Sequence, residues 1–148
     1  MVTAGPAGLR LPRPIADRML AHARGDLPNE ACGLLAGAFD GDGAGRATSF
    51  HAARNAEASP LRYNVHPEDL VRIVFEIDGA GEDLVAIFHS HTRTPAVPSA
   101  TDLRTAQYDR PFYLLASLAV PDAPPDSALR AWRIVGGHTF EVPLRVDG

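Results

Sequence analysis

The chain has 148 residues, 45% of them hydrophobic and 22% charged, which suits a single domain spanning residues 1–148 that buries roughly 70% of the surface its unfolded chain exposes. Fourteen Lys+Arg against eighteen Asp+Glu give a formal charge of -4; without a basic block to track phosphates, nucleic acid and anionic membrane surfaces are excluded as partners. The lone Cys32 cannot staple a fold, no run reaches the ~18 apolar residues of a membrane span, and the first ten residues lack a signal-peptide core, so a cytoplasmic protein is expected.

Residues 1–8 are small and carry Gly and Pro, and should fray. Leu9 and Leu11 begin a short strand. Pro14 opens a helix whose apolar face is Ile15, Met19, Leu20 and Ala23, stopped by Gly25 and Leu27-Pro28. Cys32 to Gly37 is an apolar run bounded by glycine, and Arg46 to Ala53 reads as its returning strand across the Asp40–Gly45 loop. His66-Pro67 with Glu68 and Asp69 marks a helix N-terminus, because proline is tolerated there and acids complement the dipole. Leu70, Ile73, Val74 and Ile77 give that helix its apolar face. Leu84 to Phe88 is an unbroken apolar run that reads as a central strand buried on both sides and leads into His89. A loop over Thr92 to Pro98 precedes a helix opening near Ser99, and strands follow at Phe112–Val120, Leu129–Val135 and Thr139–Val142. This order gives an α/β (α+β) fold, a mixed β-sheet sandwiched by helices.

Of the six histidines, His22, His51 and His138 lack ligand-spaced partners and read as surface or core filler, and His66 as the residue before a helix-starting proline. His89 and His91 differ. At the end of a strand, the i, i+2 spacing turns both imidazoles to one face, with Cα atoms roughly 6.5–7 Å apart. A His-x-His pair alone is weak evidence, but Asp102 can add a carboxylate, and two imidazoles with one carboxylate leave a fourth tetrahedral position open, the ligand count of a catalytic zinc. Pro98-Ser99-Ala100-Thr101-Asp102 also reads as a serine N-cap with an acid three residues on. The two readings agree, since a cap at Ser99 would hold the turn that presents Asp102.

Glu30, then His89-Ser90-His91, Ser99 and Asp102 together resemble the signature of the JAMM (MPN+, or JAB) metalloprotease family, Glu…His-x-His-x7-Ser-x2-Asp. Asn29-Glu30-Ala31-Cys32-Gly33 is similar to the family's glutamate-bearing strand, and Arg54-Asn55-Ala56 to its middle segment. Thr92 departs from the proline many members place after the second histidine, which bears on loop rigidity and leaves the ligands intact. The resemblance implies a JAB/MPN, cytidine-deaminase-like fold and one zinc ion per chain held by His89, His91 and Asp102. It also implies Glu30 as general base and proton donor, and Ser99 as hydrogen-bond donor to the tetrahedral oxyanion. Glu-Ala-Cys-Gly and His-Ser-His-Thr look most like the peptidases that release cysteine from a small ubiquitin-like sulfur-carrier protein with a Gly-Gly tail; a homodimer is compatible with this reading. Two alternatives stand beside it: an isopeptidase on ubiquitin-like modifiers, and a non-catalytic scaffold domain. Cys32, beside Gly33 in an apolar run, reads as a buried, inert thiol, and the lack of a Pro-Cys-x-x-Cys pair argues against a zinc deaminase. The Thr92–Pro98 loop is expected to form one wall of the substrate groove, and Tyr63-Asn64-Val65 the opposite wall.

Overall fold

The computed structural model describes residues 7–148. An eight-stranded mixed sheet runs through it. The hairpin of β2 (Cys32–Phe39) and β3 (Gly45–Ala53) is antiparallel, as its Gly-rich connection dictates. A Cβ at Gly37 would overlap the Arg46 carbonyl, so the hairpin's bulge admits glycine there. Strand β4 (Asp83–His91) lies at the centre, antiparallel to β2 and parallel to β5 (Phe112–Ser117). β6 (Leu129–Val135) and β7 (His138–Val142) complete one side. On the other, β1 (Leu9–Pro12) runs parallel to both β3 and β8 (Leu144–Asp147).

Helices cover both faces, giving the two cores expected when each sheet face must bury its apolar side. Helix α1 (Arg13–Gly25) packs Ile15, Met19 and Leu20 with Leu35, Phe88 and Leu114. On the opposite face, α2 (Pro67–Gly79) packs Ile73 and Ile77 with Leu34, Ile87 and Leu115. The register between β2 and β4 shifts where Leu35 pairs with Ala86 and Ala36 with Leu84. This bulge leaves Val85 and Ala86 in the α1-side core, after which Ile87, His89 and His91 alternate onto the α2 side.

Several boundaries differ from the sequence reading. β5 ends at Ser117, short of Val120, where the chain turns into α4 (Pro125–Ala128). Neither α4 nor β8 is signalled by local pattern; β8 is a four-residue strand defined by its partner β1. Val74 is 43% exposed, whereas Asp69 is buried at 7%. The acid is accepted there because the Arg54 side chain donates to both its oxygens, at 3.0 and 3.1 Å, and the Arg54 backbone N–H adds a bond of 2.8 Å. These bonds hold the carboxyl well below its ordinary range. Of the residues expected to fray, 1–6 lie outside the described residues, while the Gly8 carbonyl accepts from Gly45 N–H at 3.0 Å.

Candidate active site

The register that pairs Cys32 with His89 continues past the end of β2. Ala31 and Ser90 pair next: Ser90 N–H donates to the Ala31 carbonyl at 3.0 Å, and Ala31 N–H to Ser90 Oγ at 2.9 Å. Glu30 is thereby carried alongside His91. Backbone pairing, rather than contact between the functional side chains, brings the acid to the histidines.

Helix α3 (Ala100–Thr105) supplies the third group. Ser99 Oγ accepts from Asp102 N–H at 3.0 Å and Asp102 Oδ2 from Ser99 N–H at 2.8 Å, a reciprocal capping box. The same Oδ2 lies 3.1 Å from Nε2 of both His89 and His91. One ligand atom from each of the three residues lies within 4.8 Å of the other two. All three residues are at most 7% exposed.

These side chains fit a metal ion. Tetrahedral bonds of ~2.0–2.1 Å put neighbouring donors roughly 3.3 Å apart, close to the 3.1 Å found here. Neither ring nitrogen of buried His89 has a hydrogen-bond partner among the described residues, because Asp102 is close to Nε2 but off the direction a hydrogen bond needs. Such orphaned polar atoms are costly unless a ligand claims them. His91 Nδ1 lies 2.8 Å from the Pro95 carbonyl, so Nδ1–H donates there and Nε2 is left to face the cluster. Tyr63 stacks on the His89 ring, with centroids 4.2 Å apart and planes 16° apart.

Burial lowers the pKa of His89 and outweighs Asp102, which keeps its ring neutral. For His91 burial acts in the same direction, but Asp102 and the Pro95 carbonyl prevail and raise it. Burial would raise Asp102 too, yet the two imidazoles beside it and the bond from Ser99 N–H hold it low, as an anionic ligand requires. Glu30 is 4% exposed, and its Oε1 has no partner among the described residues. Burial pushes its pKa up from 4.5 to about 7, with Asp102 adding to the rise and His91 opposing it. A carboxyl so placed exchanges protons near neutrality.

Glu30, His91 and Ser99 open onto a cavity of about 720 Å³. One wall is Thr92, Arg93 and Thr94, on the loop expected to form it. The facing wall is Leu27, Pro28, Pro60 and Leu61, not Tyr63-Asn64-Val65. Those three line a second cavity of about 350 Å³ on the α2 side, since Tyr63 turns inward to stack on His89. Thr92 Oγ1 donates to the Pro60 carbonyl at 3.2 Å, joining the two walls of the first cavity.

Sequence reasoning assigned no role to the groups that fix this geometry. Asn55 uses its whole amide: Nδ2 donates to the Glu30 and Arg62 carbonyls and Oδ1 accepts from Glu57 and Asn64 N–H, each at 3.0 Å. Trp132 Nε1–H donates to the Ala96 carbonyl at 2.9 Å and Ser117 Oγ to that of Thr94 at 2.7 Å, pinning the loop after His91. Only the family-like Arg54-Asn55-Ala56 segment gave a signal. Cys32 is fully buried, its thiol pushed up to about 12 by burial. The His66 ring caps α2 by accepting from Glu68 N–H at 3.2 Å.

A buried two-histidine, one-aspartate cluster at the end of a central strand, with a carboxyl titrating near neutrality over an open cavity, defines a metal-dependent hydrolase. Residues 12–135 match the model for prokaryotic homologs of the JAB domain, and the chain belongs to that family. It is 38% identical over 132 residues to the CysO-cysteine peptidase of Mycobacterium tuberculosis, covering 89% of this chain and 86% of that protein. It is 37% identical over 136 residues to the desampylase of Haloferax volcanii, covering 88% and 91%. A solution structure of a Desulfitobacterium hafniense protein superposes with a TM-score of 0.84 at 34% identity, over 94% of this chain and 92% of that one. The chain is accordingly an enzyme, a hydrolase of the metallopeptidase class. Among the described residues, no helix is long and apolar enough to cross a membrane.

Proposed function

We propose that the protein is a cytoplasmic zinc peptidase that cleaves the C-terminal tail of a small ubiquitin-like sulfur-carrier protein ending in Gly-Gly, releasing the attached cysteine for cysteine biosynthesis. The observation that carries the chemistry is the convergence of His89, His91 and Asp102 beneath Glu30 at the mouth of a cavity. The substrate is supported by the names of relatives that align along most of their length, a CysO-cysteine peptidase and a desampylase.

His89 and His91 would hold the zinc through Nε2 and Asp102 through a carboxylate oxygen. Bound zinc supplies Lewis acidity and lowers the pKa of a coordinated water towards ~7. Glu30 takes the proton of the attacking water and returns it to the leaving amine; before any metal binds, burial already holds its carboxyl above the ordinary range. Ser99 Oγ, already accepting from Asp102 N–H, keeps its own hydrogen free to donate to the oxyanion. Glu30 lines the cavity through which the leaving group departs. The intact donor set weighs against a scaffold that only assembles partners.

Two measurements test this reading. Purified protein should hold one zinc per chain, lost in Asp102→Ala and His91→Ala; full occupancy in both variants would sink the ligand assignment. Incubation with a carrier ending Gly-Gly-Cys should remove the terminal cysteine while a Lys-linked conjugate of the same carrier is cleaved slowly. The reverse ranking would make the enzyme an isopeptidase.

A further inference from the structure

The cavity at Glu30 is larger than one leaving residue needs, lying within the ~300–1,000 Å³ of pockets for whole small molecules. Volume therefore does not select a terminal cysteine over a lysine side chain, and selectivity must come from chemistry on its walls. The two leaving groups differ in one ionic feature. A terminal residue departs with a free α-carboxylate, whereas a lysine inside a protein has its carboxyl tied up in a peptide bond.

Arg93 is the wall's cationic side chain, two residues beyond His91 and in the same lining as Glu30, His91 and Ser99. Most arginines in the chain are engaged: Arg13, Arg54 and Arg130 by carboxylates, Arg133 by backbone carbonyls, and Arg110 by the Phe39 ring. The Arg93 guanidinium has no hydrogen-bond or ion-pair partner among the described residues and is exposed to the cavity. Its backbone is nevertheless held on both sides. Thr92 is tied to the Pro60 carbonyl and the Thr94 carbonyl to Ser117, at 3.2 and 2.7 Å. A free fork on a pinned loop is an anion receptor whose ordering cost is partly met before binding. Glu30 must reach the leaving amine to protonate it, so that amine emerges in this cavity, with its α-carboxylate one carbon away and Arg93 in the same lining.

We propose that Arg93 binds the free α-carboxylate of the departing residue and so restricts the enzyme to bonds made to a chain-terminal residue. This inference rests on the carrier-tail reading above, which it deepens by naming the group that recognises the leaving side. It assigns Arg93 to specificity, with no part in proton transfer. The opposing wall of Leu27, Pro28, Pro60 and Leu61 leaves the departing side chain in apolar surroundings, so small residues other than cysteine should also leave, provided their carboxyl is free.

The test compares a carrier ending Gly-Gly-Cys with the same carrier ending in the C-terminal amide of that cysteine, using zinc-loaded enzyme and Arg93→Gln and Arg93→Lys variants. Wild-type enzyme should prefer the acid over the amide by about tenfold in kcat/KM, mostly through KM, because an exposed charged pair is screened and falls towards the lower end of charge-assisted bonds. Arg93→Gln should bring that ratio close to one, and Arg93→Lys should restore part of it. Binding of both carriers to metal-free protein, followed by calorimetry, should give the same ratios without turnover. Equal cleavage of acid and amide by wild-type enzyme, or an unchanged ratio in Arg93→Gln, would overturn the assignment while the carrier-tail reading survives. Failure to cleave either carrier would overturn both.

Discussion

Replacing Glu30 with Gln should make the metal-free protein more stable and the enzyme inactive, and the first effect can be sized from the fold. Burial raises this carboxyl from 4.5 to about 7, and its Oε1 has no partner among the described residues to offset the loss of water. A carboxyl whose folded value lies above its unfolded one binds its proton more tightly in the native state. Its contribution is therefore fully present below about pH 4.5 and is lost as the pH rises towards 7. Above pH 7 the native state carries a constant penalty of roughly 3 kcal/mol, at about 1.4 kcal/mol per pH unit. Glutamine keeps the shape and cannot ionise. Urea unfolding in chelator at pH 8 should therefore show Glu30→Gln more stable than wild type by about 2–3 kcal/mol, with the two within about 0.5 kcal/mol at pH 4.5. Zinc-loaded Glu30→Gln should meanwhile lose about 10²–10⁴-fold in turnover. Equal stability at pH 8 would refute the argument, since it would mean that Glu30 is solvated or paired as an ordinary acid.

Three further substitutions separate positioning from chemistry. Asn55→Ala removes four hydrogen bonds of 3.0 Å around the Glu30 strand and the 57–64 loop; since three of them are exposed, thermal unfolding should show a loss of about 2–3 kcal/mol, and a loss below 0.5 would mean that water replaces the amide. Ser99→Ala should cost about 1 kcal/mol from the lost cap and a further ~10²-fold in kcat from the lost donor. Ser99→Asn, which can still cap, should recover the stability without the turnover; recovery of both would reduce Ser99 to a structural role. Cys32→Ala should retain most turnover and cost about 1 kcal/mol, because the thiol is fully buried and held at about 12. An inactive, folded, zinc-loaded Cys32→Ala would make the thiol a catalytic group.

Two local signals make the sequence legible here. Strong periodicity with clear punctuation marked the β2–β3 hairpin, α2, β4 and β6, because glycine, proline and apolar spacing act within a few residues. Strand alternation put His89 and His91 on one face and the Ser99 cap put Asp102 in a first helical turn, so the metal ligands were readable as chemistry before any fold was known. What sequence left open depends on partners far along the chain. β8 exists because β1, some 135 residues earlier, offers it an edge, and four residues of local pattern cannot announce that. Tyr63 stacks on His89 instead of lining the groove, a choice made by packing between α2 and the sheet. Asp69 shares the buried face of α2 with Ile73 and Ile77 because Arg54, just past β3, reaches that acid, while Val74 lies on a different, exposed face. Glu30 is the clearest case: its residue type is plain in the sequence, but its raised pKa comes from burial beside His91, which the β2–β4 register alone imposes. Local sequence thus determined which groups are present and which way each points along its own element. The tertiary structure decided which of them share one dry, crowded space, and electrostatics acts only there.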